Sequence, residues 1–441
     1  MRKNLIVGIL KETKQWEYRA PLVPSDVRWL VKLGVGVEVE SSPERIFRDQ
    51  EYKKSGARIV NKIQKASFLV GIKEPQVADL CPDTIYMIFS HTIKGQFKNM
   101  PLLKACLKKK IVLIDYEKIV DSRGKRLVYF GRFAGICGAI DSLHYLGKKL
   151  EYRGFNNPFS IIQPAHKYIS LKAAKKDLEL VRQKIRQQGF REELSPFLIG
   201  VTGHGSVSRG VQEVLELLNP IEIHPKDILR FIHHQRKKYH RLYKIVFFRE
   251  EKLRAKNGKG FYFEEYLNNP GQFESNLDKY VPYLNMLIHT SYWDKRFPRM
   301  VTKKMIHNLA KKKVFRLEFI GDLSCDINGS IELTYRATTP EAPTFTYIPQ
   351  KKKFVDGYNS SGVTVLAVDN LPAQLPRDSS TEFSGFIREY VYQIATQGVK
   401  DITQHMALPR EIRRAVITEA GRLTRDFSYL KDIFTSGESQ E

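Results

Sequence analysis

The sequence predicts an α/β protein of two to three domains built on mostly parallel sheets. Three observations carry that expectation. The first 115 residues alternate short apolar runs with helical patterns, which is how strand–helix–strand units read. A further apolar run at 198–201 leads straight into a glycine-rich turn and another helical pattern. The chain has 441 residues, more than one ordinary core organises.

The elements follow in order. Residues 5–10 form the first strand. Pro24 and Ser25 open a helix, with Ser25 as its cap, Val27, Leu30, Val31 and Trp29 facing inward, and Gly34 at its end. Strands are expected at 35–39, 68–72, 85–89 and 111–114, with a helix at 102–107. Residues 133–150 read as a long helix containing glycine and alanine that leads into a second domain. Beyond the strand at 198–201, the segment 225–312 exceeds one strand–helix–strand unit and predicts a basic insertion with a loop at 268–271. Strands at 284–288 and 315–319, a helix at 382–394 and a frayed tail from Thr435 to Glu441 complete the reading.

Composition narrows the class. Hydrophobic residues make up 42% and charged residues 27%, enough apolar material for sizeable cores. No apolar run is long enough to span a bilayer. The N-terminal apolar run is too short for a signal peptide, and no acid-poor presequence precedes it. A cytoplasmic protein is expected, a mitochondrial one being the alternative in a eukaryote. Cys81, Cys106, Cys137 and Cys325 lie far apart without metal-ligand spacing, so reduced thiols and no metal site are expected. The formal net charge is +25. Nucleic-acid binding is one reading of such a charge. A solvated basic surface around an anionic small-molecule site is favoured, because the cations are spread along the chain. The densest patch, 226–259, contains Arg236-Lys237-Lys238 and Arg249 interleaved with Phe231, Tyr239, Tyr243, Phe247 and Phe248.

The turn reads Gly203-His204-Gly205-Ser206-Val207-Ser208-Arg209-Gly210. Gly203 supplies the tight turn, and Gly205 lets the backbone approach a pyrophosphate seated on the following helix N-terminus. Ser208 stands where the common dinucleotide pattern has its third glycine, with Gly210 two residues on. The next strand is expected at 221–223. It ends at His224 with no acid for the ribose diol, and Arg209 lies in the turn, so a 2′-phosphate and hence NADPH is favoured, NADH remaining possible.

Charged residues stand at the carboxyl ends of the early strands: Lys14, Glu17 and Arg19; Lys73 and Glu74; His91 and Lys94; Asp115 and Glu117. In an open α/β sheet those ends face one crevice. Arg19 suits bidentate capture of a carboxylate. Lys73 suits proton exchange with an amine, His91 protonation of a leaving water, and Glu117 the neutralisation of an ammonium.

The segments 10–14, 17–24, 71–75 and 89–94, with Leu113-Ile114-Asp115-Tyr116-Glu117-Lys118, Gly321-Asp322-Leu323-Ser324-Cys325-Asp326, 329–332 and 368–376, resemble the saccharopine-forming lysine-ketoglutarate reductase domain of aminoadipic semialdehyde synthase. More distantly the chain resembles fungal saccharopine dehydrogenase and the alanine dehydrogenase/transhydrogenase fold. The resemblance implies two Rossmann-like domains flanking an interdomain cleft. A discontinuous substrate domain would span 1–133 plus 366–441, and a cofactor domain 134–365. It implies condensation of lysine with 2-oxoglutarate and NADPH reduction of the imine to saccharopine. Lys73 and His91 would do the acid–base work. Lys14 and Arg19 would hold substrate carboxylate, with Glu17, Glu74 and Glu117 tuning the charge. Asp322 or Asp326 would lie near the nicotinamide, with Asn370 and Leu371 close by, and Ser291-Tyr292-Trp293 with Pro298-Arg299 would line the cleft. Animal relatives fuse this domain to a saccharopine dehydrogenase half, so a separate saccharopine dehydrogenase is a conceivable partner. The alternatives are an NAD-dependent saccharopine dehydrogenase working in the lysine-forming direction, another opine- or alanine-type dehydrogenase, and a basic nucleic-acid-binding protein on a decayed dehydrogenase scaffold.

Overall fold

A computed structural model describes residues 5–234, 239–312, 315–397 and 402–432. The expected basic run Arg236-Lys237-Lys238 and the tail from Thr435 to Glu441 lie outside the described residues. The chain divides into two compact units, Met1–Phe130 with Pro376–Glu441, and Gly131–Leu375.

The first unit holds an eight-stranded sheet. Its order is Arg422–Leu423, Val416–Glu419, Val112–Asp115, Ile85–Ile88, Phe68–Val70, Val7–Ile9, Val37–Glu40 and Arg58–Val60. The six N-terminal strands run parallel, and the two C-terminal strands add antiparallel. Parallel strands covered on both faces read as continuous apolar runs, and Phe68–Val70, Ile85–Ile88 and residues 112–114 do. Phe68, Val70, Ile85, Met87, Val112 and Ile114 face a core shared with Phe383, Ile387 and Val391 of the helix Pro376–Gln397. Leu69, Tyr86, Ile88 and Leu113 face the opposite core with Leu103 and Phe427. The helix Pro24–Lys32 starts one residue earlier than expected, so Ser25 is not its cap. Pro24 takes the first helical position, where its missing N–H costs nothing. Val23, at the N-cap, donates its N–H to Ser384 Oγ at 3.0 Å, a cap supplied from 361 residues away.

The second unit holds another eight-stranded sheet. Its order is Lys353–Asp356, Thr344–Ile348, Val363–Leu366, Phe319–Asp322, Met286–His289, Phe197–Thr202, Leu242–Phe247 and Ile221–Glu222. The first two of these are antiparallel and the other six parallel. Three expectations change here. The strand expected at 315–319 forms later, at Phe319–Asp322. The segment 225–312 is not an insertion throughout, because Leu242–Phe247 and Met286–His289 are interior strands of the sheet. The added part is the antiparallel pair Leu253–Ala255 and Phe273–Ser275, with the short helix Phe263–Asn268 between them. Third, Ile221–Glu222 is a two-residue edge strand and does not neighbour Phe197–Thr202. The reason is legible in Lys244, a buried lysine in the intervening strand whose Nζ reaches Glu222 at 2.8 Å and Glu216 at 2.5 Å. A buried ammonium requires such partners.

The long helix Gly131–Tyr152 crosses the helix Ser206–Glu216 at very close range. A Cβ on Gly210 would lie 2.0 Å from Arg132 O, and one on Gly135 would lie 1.9 Å from Val207 O. Among the described residues no helix is long and apolar enough to cross a membrane.

Candidate active site

In the first unit, the carboxyl ends of four neighbouring parallel strands carry the expected charged residues, and their contacts connect them. His91 follows the strand Ile85–Ile88 in the left-handed backbone region, φ 53°. A non-glycine residue there requires external support. Asn99 Nδ2 supplies part of it by donating to His91 O at 2.7 Å. Asp115 supplies more: it accepts the Ser90 N–H at 3.0 Å and also the Ser90 hydroxyl. The imidazole Nδ1 lies 3.0 Å from Glu74 Oε2. Burial opposes ionisation of Glu74, but the His91 hydrogen bond and the nearby charges of His91 and Lys73 hold its carboxyl below the ordinary range. With Nδ1 engaged, Nε2 is the imidazole nitrogen left to exchange protons outward.

Arg19 and Glu17 form a buried bidentate pair, Nε–Oε1 2.7 Å and Nη2–Oε2 2.5 Å. The side-on face of the guanidinium thus meets Glu17. Local geometry favours the pair, since Glu17 and Arg19 flank a single residue and burial strengthens their attraction. The guanidinium also lies 4.0 Å above the Phe130 ring. Phe130 stacks on Phe383 at 4.3 Å and lies 6.1 Å from Phe89, which in turn stacks on His91 at 6.4 Å. One aromatic platform therefore carries the guanidinium and the imidazole.

The remaining charged residues are placed less centrally. Glu117 pairs with Arg126, a partner that strand spacing did not suggest. Lys14 is exposed, its carbonyl accepting the Glu17 N–H. Lys94 is exposed in the turn that Gly95 N–H closes on Thr92 O. Sequence reasoning missed Glu12, whose carboxylate accepts the backbone N–H groups of Ile72 and Lys73. Its place three residues past the first strand was the available signal.

In the second unit, Gly203 ends the strand Phe197–Thr202 with φ 95°, a conformation glycine adopts without penalty. Gly205 caps the helix Ser206–Glu216, and the space where its Cβ would stand is open. Ser206 and Val207 form the first turn of that helix, so their N–H groups lack intrahelical acceptors and suit a diphosphate. Ser208, the departure from the common pattern, is buried and returns its hydroxyl to Gly203 O at 2.7 Å. The close packing usually given by the third glycine falls instead to Gly210. Arg209 is exposed on the helix. These residues fit a dinucleotide.

His224 is a correction. It lies beyond the edge strand, exposed, its ring accepting the Lys226 N–H. The strand beside the glycine turn is Leu242–Phe247, which is followed by Phe248, Arg249 and Glu250. Arg249 lies 4.4 Å above the Phe263 ring. His204 of the glycine turn is 5.6 Å from the Phe248 ring, and burial together with the charges of Arg249 and Lys252 lowers its pKa.

Thr202, His289 and Asp322 align in register across three parallel strands. Asp322 is buried, bonded to Ser324 and Thr334, and burial pushes its carboxyl up to about 6. Asp326, in the loop that follows, accepts the Gly329 N–H on its carbonyl. Asn370 and the buried Leu371 follow the strand Val363–Leu366. Lys252, which sequence reasoning passed over, is buried, donates to Ser291 Oγ at 2.5 Å and is pushed down to about 8, by burial first and Arg249 second. No group of three His, Cys, Asp or Glu side chains suited to a metal occurs among the described residues.

The chain is similar to α-aminoadipic semialdehyde synthase of Arabidopsis thaliana, 33% identical over 97% of this chain and 41% of that protein. It is similar to the mitochondrial α-aminoadipic semialdehyde synthase of Mus musculus, 31% identical over 97% of this chain and 48% of that protein. The chain thus spans about half the length of these relatives, or less. A saccharopine dehydrogenase (NAD(+), L-lysine-forming) of Neurospora crassa is 25% identical over 86% of this chain and 88% of that protein. Among solved structures, an L-alanine dehydrogenase matches with TM-score 0.62 and 18% identity, covering 98% of this chain and 99% of that one. A transhydrogenase from Sinorhizobium meliloti matches with TM-score 0.58 and 14% identity, covering 95% and 100%. These two likenesses show the fold. The family described as alanine dehydrogenase/PNT matches in both its parts, the N-terminal domain over residues 8–137 and the C-terminal domain over 244–426. With both domains present in order, and with lysine- and saccharopine-linked relatives aligned along nearly its whole length, the chain belongs to the alanine dehydrogenase/PNT family.

Proposed function

We propose that this chain reductively condenses lysine with 2-oxoglutarate to saccharopine, using NADPH. The observation that carries the reading is the Lys73–Glu74–His91 cluster, with His91 Nδ1 bonded to Glu74 at the ends of adjoining parallel strands. The names of the semialdehyde synthase and saccharopine dehydrogenase relatives support the choice of substrates. The two units are read as a substrate-binding unit, Met1–Phe130 with Pro376–Glu441, and a cofactor-binding unit, Gly131–Leu375.

In this mechanism Lys73 takes a proton from the substrate ε-ammonium, and the free amine attacks the oxo carbon. His91, through Nε2, gives a proton to the departing hydroxyl, so water leaves as the imine forms. The reduced nicotinamide, when bound, supplies the hydride that makes the imine carbon tetrahedral. Lysine, 2-oxoglutarate, NADPH and one proton thus yield saccharopine, NADP+ and water. Lys14, Lys94 and Arg19 supply positive charge for the carboxylates, Arg19 acting from within its pair with Glu17. Gly203, Gly205, Ser206 and Val207 seat the diphosphate, and Asp322, Asp326, Asn370 and Leu371 form the nicotinamide end. Arg249, braced on Phe263, takes the ribose 2′-phosphate. The test is NADPH consumption with lysine and 2-oxoglutarate, each omitted in turn, with mass identification of the product. Consumption that ignores either omission refutes the reading.

A second reading, oxidation of saccharopine with NAD+, is favoured by one observation. Glu250, exposed beside Arg249, suits an unphosphorylated ribose diol. A kcat/KM for NADH above that for NADPH would select it.

A further inference from the structure

The loops that carry Lys14, Glu17 and Arg19 on one side and Lys73 and Glu74 on the other leave adjacent parallel strands, Val7–Ile9 and Phe68–Val70. A single carboxylate joins them. Glu12 Oε1 accepts the Ile72 N–H at 2.6 Å, and Oε2 accepts the Lys73 N–H at 3.0 Å. The preceding residue is Gly71, where a Cβ would stand 3.5 Å from Glu12 Oε1 and closer still to Leu10 and Ile88. Both oxygens are therefore engaged by the backbone that launches the Lys73 side chain. The charged and titratable groups around Glu12 are Glu17 and Arg19 on its own loop, Lys73 after the neighbouring strand, and Tyr116 after Val112–Asp115.

We propose that Glu12 is a positioning residue whose carboxylate, by bridging the Ile72 and Lys73 amides, fixes where Lys73 leaves the sheet and couples it to the Lys14–Arg19 loop. The inference rests on the proposed role of Lys73. The ionised carboxylate offers both oxygens as strong acceptors, whereas protonation makes one of them a hydroxyl donor and a weaker acceptor. Burial first, then Glu17, lifts the Glu12 carboxyl to about 7 against the two amides and Arg19. The bridge is thus complete above neutral pH and weakens as pH falls below it.

The experiment uses the full chain with Glu12→Gln, which keeps size and one acceptor, and Glu12→Asp, which keeps charge but is one methylene shorter. Turnover against pH, NADPH affinity by fluorescence, and the pH midpoint of Lys73 acylation by acetic anhydride are measured together. For Glu12→Gln, kcat is expected to fall about tenfold to a hundredfold, as a misplaced catalytic group does. NADPH affinity is expected to stay within about twofold, since uniform binding is untouched. The Lys73 acylation midpoint is expected to drop by about half a pH unit as a neighbouring negative charge is removed. Glu12→Asp is expected to recover part of both effects. Unchanged kcat with an unchanged acylation midpoint overturns the proposal. So does a joint loss of turnover and NADPH binding in both variants. If the unmutated chain shows no turnover with these substrates, the functional reading falls alone, and the acylation midpoint still decides the role of Glu12.

Discussion

The two sheets share an architecture, eight strands with six of them parallel, yet their carboxyl edges are chemically unlike. The first edge carries long charged side chains that satisfy one another: Arg19 on Glu17, His91 on Glu74, Glu117 on Arg126. The second carries glycines, open helix N–H groups and buried ionisable groups driven toward neutrality. Burial takes His289 down to about 3, Lys252 to about 8 and Asp322 up to about 6. An edge of paired charges suits moving protons on a polar substrate. An edge of backbone donors suits holding a dinucleotide. Under the proposed function, one scaffold supports two tasks because function resides in the loops at strand ends.

The division of labour is open to direct attack. The largest expected effect belongs to the first edge: Lys73→Met lowers turnover by about 10² to 10⁴, the usual range for a lost acid–base group, while cofactor affinity holds. Pre-steady-state hydride transfer and nucleotide titration check both halves, and a matching loss of cofactor affinity breaks the comparison. Next comes the second unit's helix crossing. Gly210→Ala sets a methyl 2.0 Å from Arg132 O, and an overpacked contact of this kind costs about 2–3 kcal/mol, visible as a lowered Tm with weakened nucleotide binding.

Buried Lys252 gives a pH signature. Its folded value, about 8, lies below its unfolded value, so the unfolded chain binds more protons between the two. Stability then rises with pH through that window. Denaturant titrations from pH 7.5 to 10 should show the unmutated chain gaining about 2 kcal/mol relative to Lys252→Met, allowing roughly 1.4 kcal/mol per pKa unit and incomplete desolvation. A flat difference would mean that Lys252 is solvated. The smallest effect sharpens cofactor choice: Arg249→Ala is expected to raise KM for NADPH about tenfold and leave NADH nearly unchanged, as loss of one charge-assisted phosphate contact does. Equal effects on both nucleotides would pass the ribose to Glu250.

Much of this was readable along the chain. The strands at 68–72, 85–89 and 111–114 announced themselves by apolar runs bounded by charge, so Lys73, His91 and Glu117 were assignable to strand ends before any coordinates. The glycine turn announced its strand and helix in the same way. What local pattern did not show was which residues become neighbours. His224 follows the next strand in the sequence, but Leu242–Phe247 slips between that strand and the glycine turn's strand, so Arg249, not His224, follows the neighbouring strand. Arg19 has the right chemistry for a carboxylate, yet Glu17 two residues away meets its side-on face first. Glu12 showed only its place after the first strand, because its partners are main-chain N–H groups 60 and 61 residues away.

Local patterning made most strands and helices legible, with the residue types at their ends, though not Leu242–Phe247 or the shift of 315–319 to Phe319–Asp322. Periodicity and turn chemistry are local properties, written within a dozen residues. Tertiary structure alone decided which strand lies beside which, which charge meets which, and which lysine is stripped of water. Those outcomes depend on pairings and burial between residues tens to hundreds of positions apart, and no local pattern encodes such a distance.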